Sequence, residues 1–202
     1  MVICVFGDSI ACGFYDLEKG GWVGRLNYYL YTKHPGTDYL DLYNLSIDGD
    51  FTGNLLTRFQ SELQARNPDM IILAIGINDS EYWLSQKKYQ TQAGEFRKNL
   101  QKLYKTGRKF TSKIIFIGLT RVEQEITNPV SWDSNVAYFN KDILKYDKII
   151  KDFCSKNGLQ YIPMYDVLDN KDLFDGTHPN PAGHEKMFER IRSEIDAVIR
   201  NS

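Results

Sequence analysis

"VICVFGDSIACGF", residues 2–14, decides the fold reading of this chain. Val2 to Phe6 form an apolar run without polar alternation, the pattern of a strand buried on both faces. The run stops abruptly at Gly7-Asp8-Ser9-Ile10, and helical spacing follows. A strand, a tight turn carrying a serine, and then a helix make the first half of a βαβ unit. Ser9 itself has two readings at this stage. Serine is a favoured helix N-cap, and it is a nucleophile wherever a base stands beside it.

Working outward, four more short apolar runs read as strands: "YLDLYNLS" (39–46), "MIILAI" (70–75), "KIIFIG" (113–118) and "LQYIPM" (159–164). Five helical patterns separate and follow them. Their apolar positions are Trp22, Val23, Leu26 and Leu30, then Leu55, Leu56, Phe59 and Leu63, then Tyr89, Ala93, Phe96, Leu100 and Leu103. The fourth shows Ile143, Leu144, Tyr146, Ile150 and Phe153, and the last Met187, Ile191, Ile195 and Val198. Spacings of three and four place one face of each helix on a core. Asn67-Pro68 and Asn157-Gly158 read as stops for the second and fourth helices. Strand and helix alternate five times, without repeats or low-complexity linkers. The expectation is an α/β fold over residues 1–202 as one domain. It is a three-layer α/β/α sandwich around a five-stranded parallel sheet of flavodoxin-like order 2-1-3-4-5.

In such sheets ligands bind at the carboxyl ends of the strands, where the order reverses. After the first strand comes Ser9, after the second Gly49 in "SIDGDFTGN", and after the third Asn78 and Asp79 in "GINDS". If the order holds, Ser9, Gly49 and Asn78 meet in one crevice. A serine attacking an ester carbonyl creates an oxyanion that needs fixed donors. The Gly49 amide, the Asn78 side-chain NH2 and the Ser9 N–H are such donors.

The base should be a histidine, and there are three. His34, in "YTKHPGTD", falls at the wrong end of the sheet. His184 falls inside the last helix, where it packs or faces water. His178 stands in a loop after the fifth strand, three residues beyond Asp175. That spacing lets the carboxylate fix the imidazole tautomer and leaves Nε2 free to take the serine proton. The fifth strand is about 14 Å from the first at about 4.8 Å per strand. The stretch from Tyr165 to His178 spans that distance easily at about 3.3 Å per residue.

Composition narrows the alternatives. The chain is 42% hydrophobic and 25% charged with a net charge of −1, which argues against disorder and against a basic nucleic-acid surface. No apolar stretch is long enough for a membrane span. Cys4, Cys12 and Cys154 are odd in number and lack zinc-ligand spacing, so three reduced thiols are expected, with Cys4 and Cys154 packed. Cys12 either packs or lines the crevice. The start "MVICVFG" lacks the basic flank and cleavage site of a secretion signal. With the free thiols, this suggests a cytoplasmic setting.

The four blocks taken together resemble the SGNH, or GDSL-type, hydrolase superfamily of esterases and lipases. They read Gly7-Asp8-Ser9-Ile10, Gly49 in "SIDGD", Gly76-Ile77-Asn78-Asp79, and Asp175-Gly176-Thr177-His178, in that order. Ile10 stands where leucine is commoner. The resemblance implies Ser9 as nucleophile, His178 as base and Asp175 as its orienting acid. It also implies an oxyanion hole of the Ser9 N–H, the Gly49 N–H and the Asn78 side chain. It implies a small-molecule ester as substrate and no metal or organic cofactor. Short-acyl esters, acetylated sugars and lysophospholipids all stay open. So do O-deacetylation of carbohydrates and acyl transfer to an added alcohol. A non-catalytic ligand-binding module that kept the fold is the reading from another class. A nucleotide-binding flavodoxin-like protein fits less well, because neither G-x-G-x-x-G nor a P-loop follows the first strand.

Asp8 and Asp79 read as structural, bonding nearby backbone. Aromatics gather after the strands: Phe14, Tyr15, Tyr82, Trp83, Trp132, Tyr138 and Phe139. The segment 120–140 is long for a connection in a compact domain and reads as a specificity element over the site.

Overall fold

The apolar run that opens the chain forms β1 (Val2–Gly7), and Ile3, Cys4, Val5 and Phe6 are wholly buried. The computed structural model describes residues 1–33 and 40–200. After β1 come α1 (Ser9–Cys12), α2 (Gly21–Lys33), β2 (Asp41–Asn44), α3 (Thr52–Arg66) and β3 (Met70–Ala74). Next are β4 (Tyr82–Trp83), β5 (Lys88–Tyr89), α4 (Ala93–Gly107), β6 (Ile114–Ile117) and β7 (Val136–Ala137). The chain finishes with α5 (Asn140–Asn157), β8 (Gln160–Ile162) and α6 (Pro181–Arg200). The main sheet runs β2-β1-β3-β6-β8, every pair parallel. With its five strands counted in chain order this is 2-1-3-4-5, as expected. Helices cover the sheet as a three-layer sandwich, α2 packing on α6 and α3 on α4, which also meets α5.

The register explains why three loops meet. Gly7 pairs with Ala74, so β1 and β3 end side by side. Val5 pairs with Asn44, and just beyond that pair the Ile47 N–H bonds the Gly7 carbonyl at 3.1 Å. Gly7 is the hinge of this arrangement. A Cβ there would lie 2.5 Å from the Ala11 Cβ and 2.6 Å from the Ala74 carbonyl, so only glycine lets α1 fold back onto the sheet.

The helical stripes are largely as expected. Trp22, Val23, Leu26 and Leu30 are buried, as are Leu55, Phe59 and Leu63, and Met187, Ile191 and Ile195. Asn67 and Gly158 end α3 and α5 in left-handed conformation. Three expectations need correction. Tyr89 is not helical but belongs to β5, and α4 begins at Ala93. Leu144 is exposed on α5. The second strand is Asp41–Asn44, shorter than the expected 39–46, of which Tyr39 lies outside the described residues, and it is mostly exposed, as an edge strand has one neighbour only. A second, antiparallel sheet of order β5-β4-β7 is new. Its β7 comes from the long 120–140 segment, which therefore carries structure of its own. Cys4 and Cys154 are free and buried, while Cys12 is half-buried and directs its thiol at the Ser46 carbonyl. His34 lies outside the described residues. Among those residues no helix is long and apolar enough to cross a membrane.

Candidate active site

At the end of β1 the cap and the serine separate. Asp8, not Ser9, is the N-cap of α1, its Oδ1 accepting the Ile10 N–H at 3.0 Å. Ser9 is then the first helical residue, its hydroxyl not used as a cap. Ser9 Oγ lies 2.8 Å from His178 Nε2. Burial of Asp8, only partly offset by the Ile10 N–H, pushes its carboxyl up to about 7.

The loop holding His178 is built by short-range bonds. Asp175 Oδ1 accepts the His178 N–H at 2.9 Å and the Thr177 N–H at 3.0 Å, while its Oδ2 lies 2.8 Å from His178 Nδ1. Burial alone would raise Asp175. The bonds from the His178 ring and backbone, with the Thr177 N–H, outweigh it and bring the carboxyl down to about 2. An ionised carboxylate only accepts, so Nδ1 carries the imidazole proton and Nε2 is left to accept from the Ser9 hydroxyl. The Phe174 N–H closes the loop on the His178 carbonyl at 2.8 Å. Asn180 then caps α6, its Oδ1 taking the Ala182 and Gly183 N–H groups at 3.0 Å each, with Pro181 as first helical residue.

Gly49 and Asn78 are brought to the same place. Gly49 has φ of +71°, and a Cβ there would meet no atom within 4 Å. Its glycine identity answers to the backbone conformation, and its flank is open. The next residue, Asp50, accepts Asn78 Nδ2 on its carbonyl at 2.9 Å. Asn78 Oδ1 takes the Tyr138 hydroxyl at 2.8 Å. Neither the Ser9 nor the Gly49 backbone N–H finds a protein acceptor among the described residues. Asp79 is structural, as expected: its two oxygens take the Thr52 N–H and hydroxyl at 2.9 and 2.5 Å. It thereby caps α3, whose own N-cap residue Phe51 offers no side-chain acceptor.

Aromatic rings surround His178. Phe14 stacks on the imidazole at 5.5 Å between centroids, Trp132 lies at 5.5 Å, and Tyr15 meets it edge-on at 5.7 Å. Tyr15 also stacks on Phe174 at 3.9 Å. These rings keep 38% (Phe14), 38% (Tyr15), 50% (Trp132) and 63% (Phe174) of their surface exposed. Phe14, Tyr15 and Trp132 are among the aromatics expected here from the sequence; Phe174, which directly precedes Asp175, is not. His184 packs, fully buried. Its Nδ1 accepts the Trp22 N–H at 3.3 Å, so its Nε2–H donates to the Phe14 carbonyl at 2.9 Å. Burial holds its pKa down at about 4. It thus supports the ring against His178 and stands outside the reacting groups.

The sequence matches the GDSL-like Lipase/Acylhydrolase family model over residues 5–186. It is 31% identical over 191 residues to a multidomain esterase of Ruminococcus flavefaciens, a match taking in 91% of this chain and 20% of that protein. It is 26% identical to an acetylxylan esterase of Xylanibacter ruminicola, over 96% of this chain and 42% of that protein. The chain therefore spans less than half the length of either. A crystal structure of a lipase/acylhydrolase from Enterococcus faecalis superposes with a TM-score of 0.78 at 22% identity, over 97% of this chain and 95% of that one. The strand order, the four sequence blocks and the match over residues 5–186 agree: the chain belongs to the GDSL-like lipase/acylhydrolase family.

Proposed function

We propose that this protein hydrolyses carboxylic esters through an acyl-enzyme on Ser9. The observation that carries this is the chain Ser9 Oγ–His178 Nε2 and His178 Nδ1–Asp175 Oδ2, with 2.8 Å at each link. Ser9 Oγ bonds to the ester carbonyl carbon as its proton passes to Nε2. The oxyanion formed is held by the Ser9 and Gly49 N–H groups and an Asn78 Nδ2–H. When the carbonyl reforms, the ester C–O bond breaks and Nε2–H protonates the departing alcohol. Water then attacks the acyl-enzyme, giving its proton to Nε2, and the acid leaves as Ser9 regains its hydrogen. A fluorophosphonate should label Ser9 alone, as read by mass spectrometry of the digest. Labelling elsewhere, or none together with no esterase activity, would overturn the assignment.

The alcohol side of the site follows from the same chemistry. The group that protonates the alcohol must stand beside it, so the alcohol lies against the rings that touch His178. Those three part-exposed rings, with Phe174 stacked on Tyr15 beside them, favour a ring-bearing alcohol over a small aliphatic one. The acetylxylan esterase among the relatives supports an O-acetylated carbohydrate as substrate. Trp132→Ala with Phe174→Ala should raise KM for acetylated xylo-oligosaccharides about tenfold while leaving ethyl acetate hydrolysis within about twofold. Equal losses on both esters would refute this placement of the alcohol.

A further inference from the structure

Resting on the reading of Asn78 as an oxyanion donor, we infer that Tyr138 is the positioning residue that sets which face of the Asn78 amide meets the reaction. Asn78 is buried and its amide is held from two sides. The Asp50 carbonyl can only accept, so the atom 2.9 Å from it must be Nδ2. On the other side Tyr138 OH lies 2.8 Å from the remaining amide atom. Burial first, and then the surrounding carboxylates of Glu81, Asp8, Asp175 and Asp48, raise the Tyr138 pKa well above its ordinary value. The phenol therefore keeps its proton and donates, and the atom facing it is Oδ1. Two independent partners agree on one orientation. One Nδ2–H is spent on Asp50, and the other has no protein acceptor among the described residues.

The energetics give Tyr138 its weight. Without the hydroxyl, Oδ1 is a buried acceptor left unpaired, which costs as much as the bond itself. The Asp50 carbonyl still holds Nδ2, but with one bond in place of two the amide can swing about it, and the free N–H leaves its place. An amide that accepts at oxygen is also a stronger donor at nitrogen, so the phenol strengthens the bond to the oxyanion. Tyr138 follows directly on β7, sixty residues beyond Asn78 in sequence. The 120–140 segment thus reaches into the catalytic machinery as well as forming the rim at Trp132.

The test is a double-mutant cycle on the full chain, with nitrophenyl acetate as substrate and fluorophosphonate titration counting active sites. Tyr138→Phe should lower kcat per active site about 10-fold to 100-fold, with KM within about threefold. In an Asn78→Ala background the same change should cost less than about threefold, because the group it positions is gone. Tyr138→4-aminophenylalanine, which keeps a donor, should recover most of kcat. The volume-matched Tyr138→4-fluorophenylalanine, which has no donor, should not, and it carries the same reading should the Phe variant fail to fold. A purely structural role would give losses that multiply in the Asn78→Ala background and no difference between the amino and fluoro variants. That result, or wild-type kcat in Tyr138→Phe, overturns the inference. Wild-type protein that neither labels at Ser9 nor cleaves the ester overturns the functional reading first, and this one with it.

Discussion

Ser9→Ala is expected to lower kcat by about a millionfold, and His178→Ala to do the same, while the double variant loses no more than either alone. In the proposed mechanism the two side chains perform one step: Oγ, 2.8 Å from Nε2, acts as a nucleophile only because its proton has somewhere to go, and Nε2 has no other proton to take. Rate above the uncatalysed reaction should persist at about a thousandfold in all three variants. It comes from donors that the substitutions leave in place, the Gly49 N–H and the Asn78 amide. The fold should be almost indifferent to Ser9→Ala. Asp8 rather than Ser9 caps α1, and the Ser9 hydroxyl has His178 as its partner. The melting temperature of Ser9→Ala should therefore stay within about 2 °C of wild type, where loss of a true cap costs about 1 kcal/mol and several degrees. Steady-state kinetics and thermal melting read both halves. Activity within a hundredfold of wild type in Ser9→Ala would remove Ser9 from the reaction.

That separation of the cap, Asp8, from Ser9 also shows what a sequence can and cannot disclose. Asp8 and Ser9 are both good cap residues, and composition cannot rank them. The choice is made by Gly7, which turns the chain so tightly over Ala11 and Ala74 that Asp8 meets the Ile10 N–H. The parallel sheet was readable because its central strands are unbroken apolar runs, buried on both sides. The edge strand β2 was read too long because one of its sides has no neighbour. The site blocks were readable because each is local: Asp175 and His178 are three residues apart, and Asp79 follows Asn78. The supports were not. Tyr138 finds Asn78 across sixty residues, and His184 finds the Phe14 carbonyl across 170. The two-residue strands β4, β5 and β7 have no periodicity to detect, and β4 pairs with β7 across more than fifty residues, Tyr82 with Ala137 and Trp83 with Val136. The spacing of Tyr89 from Ala93 mimics a helix, whereas its hydroxyl reaches Asp142 on α5 at 2.9 Å.

Asp175→Asn should cost about ten-thousandfold in kcat, although it changes one atom and leaves the loop folded. The geometry dictates the outcome. Oδ1 of Asp175 accepts two backbone N–H groups, from Thr177 and His178. An asparagine amide can serve both only with its own oxygen in that position. Its NH2 then occupies the place of Oδ2, 2.8 Å from His178 Nδ1. Two donors cannot face each other, so Nδ1 must become the acceptor and the imidazole proton moves to Nε2. In that tautomer Nε2 points a hydrogen at Ser9 Oγ and has no lone pair to receive the serine proton. Asp175→Ala imposes no tautomer, so it should be the less damaged of the two in kcat while losing more stability, because the Thr177 and His178 N–H groups lose their acceptor. The pH dependence separates the roles. The Asp175 carboxyl is depressed to about 2, so the stability it lends is present at neutral pH and is lost only as pH falls through that value. Asp175→Ala should therefore be less stable than wild type at neutral pH, and the difference should close as pH falls through about 2. Measuring kcat and melting temperature for the two variants across the acid range checks both statements. An asparagine variant as active as wild type, or more active than the alanine one, would mean that the tautomer is set by something other than Asp175.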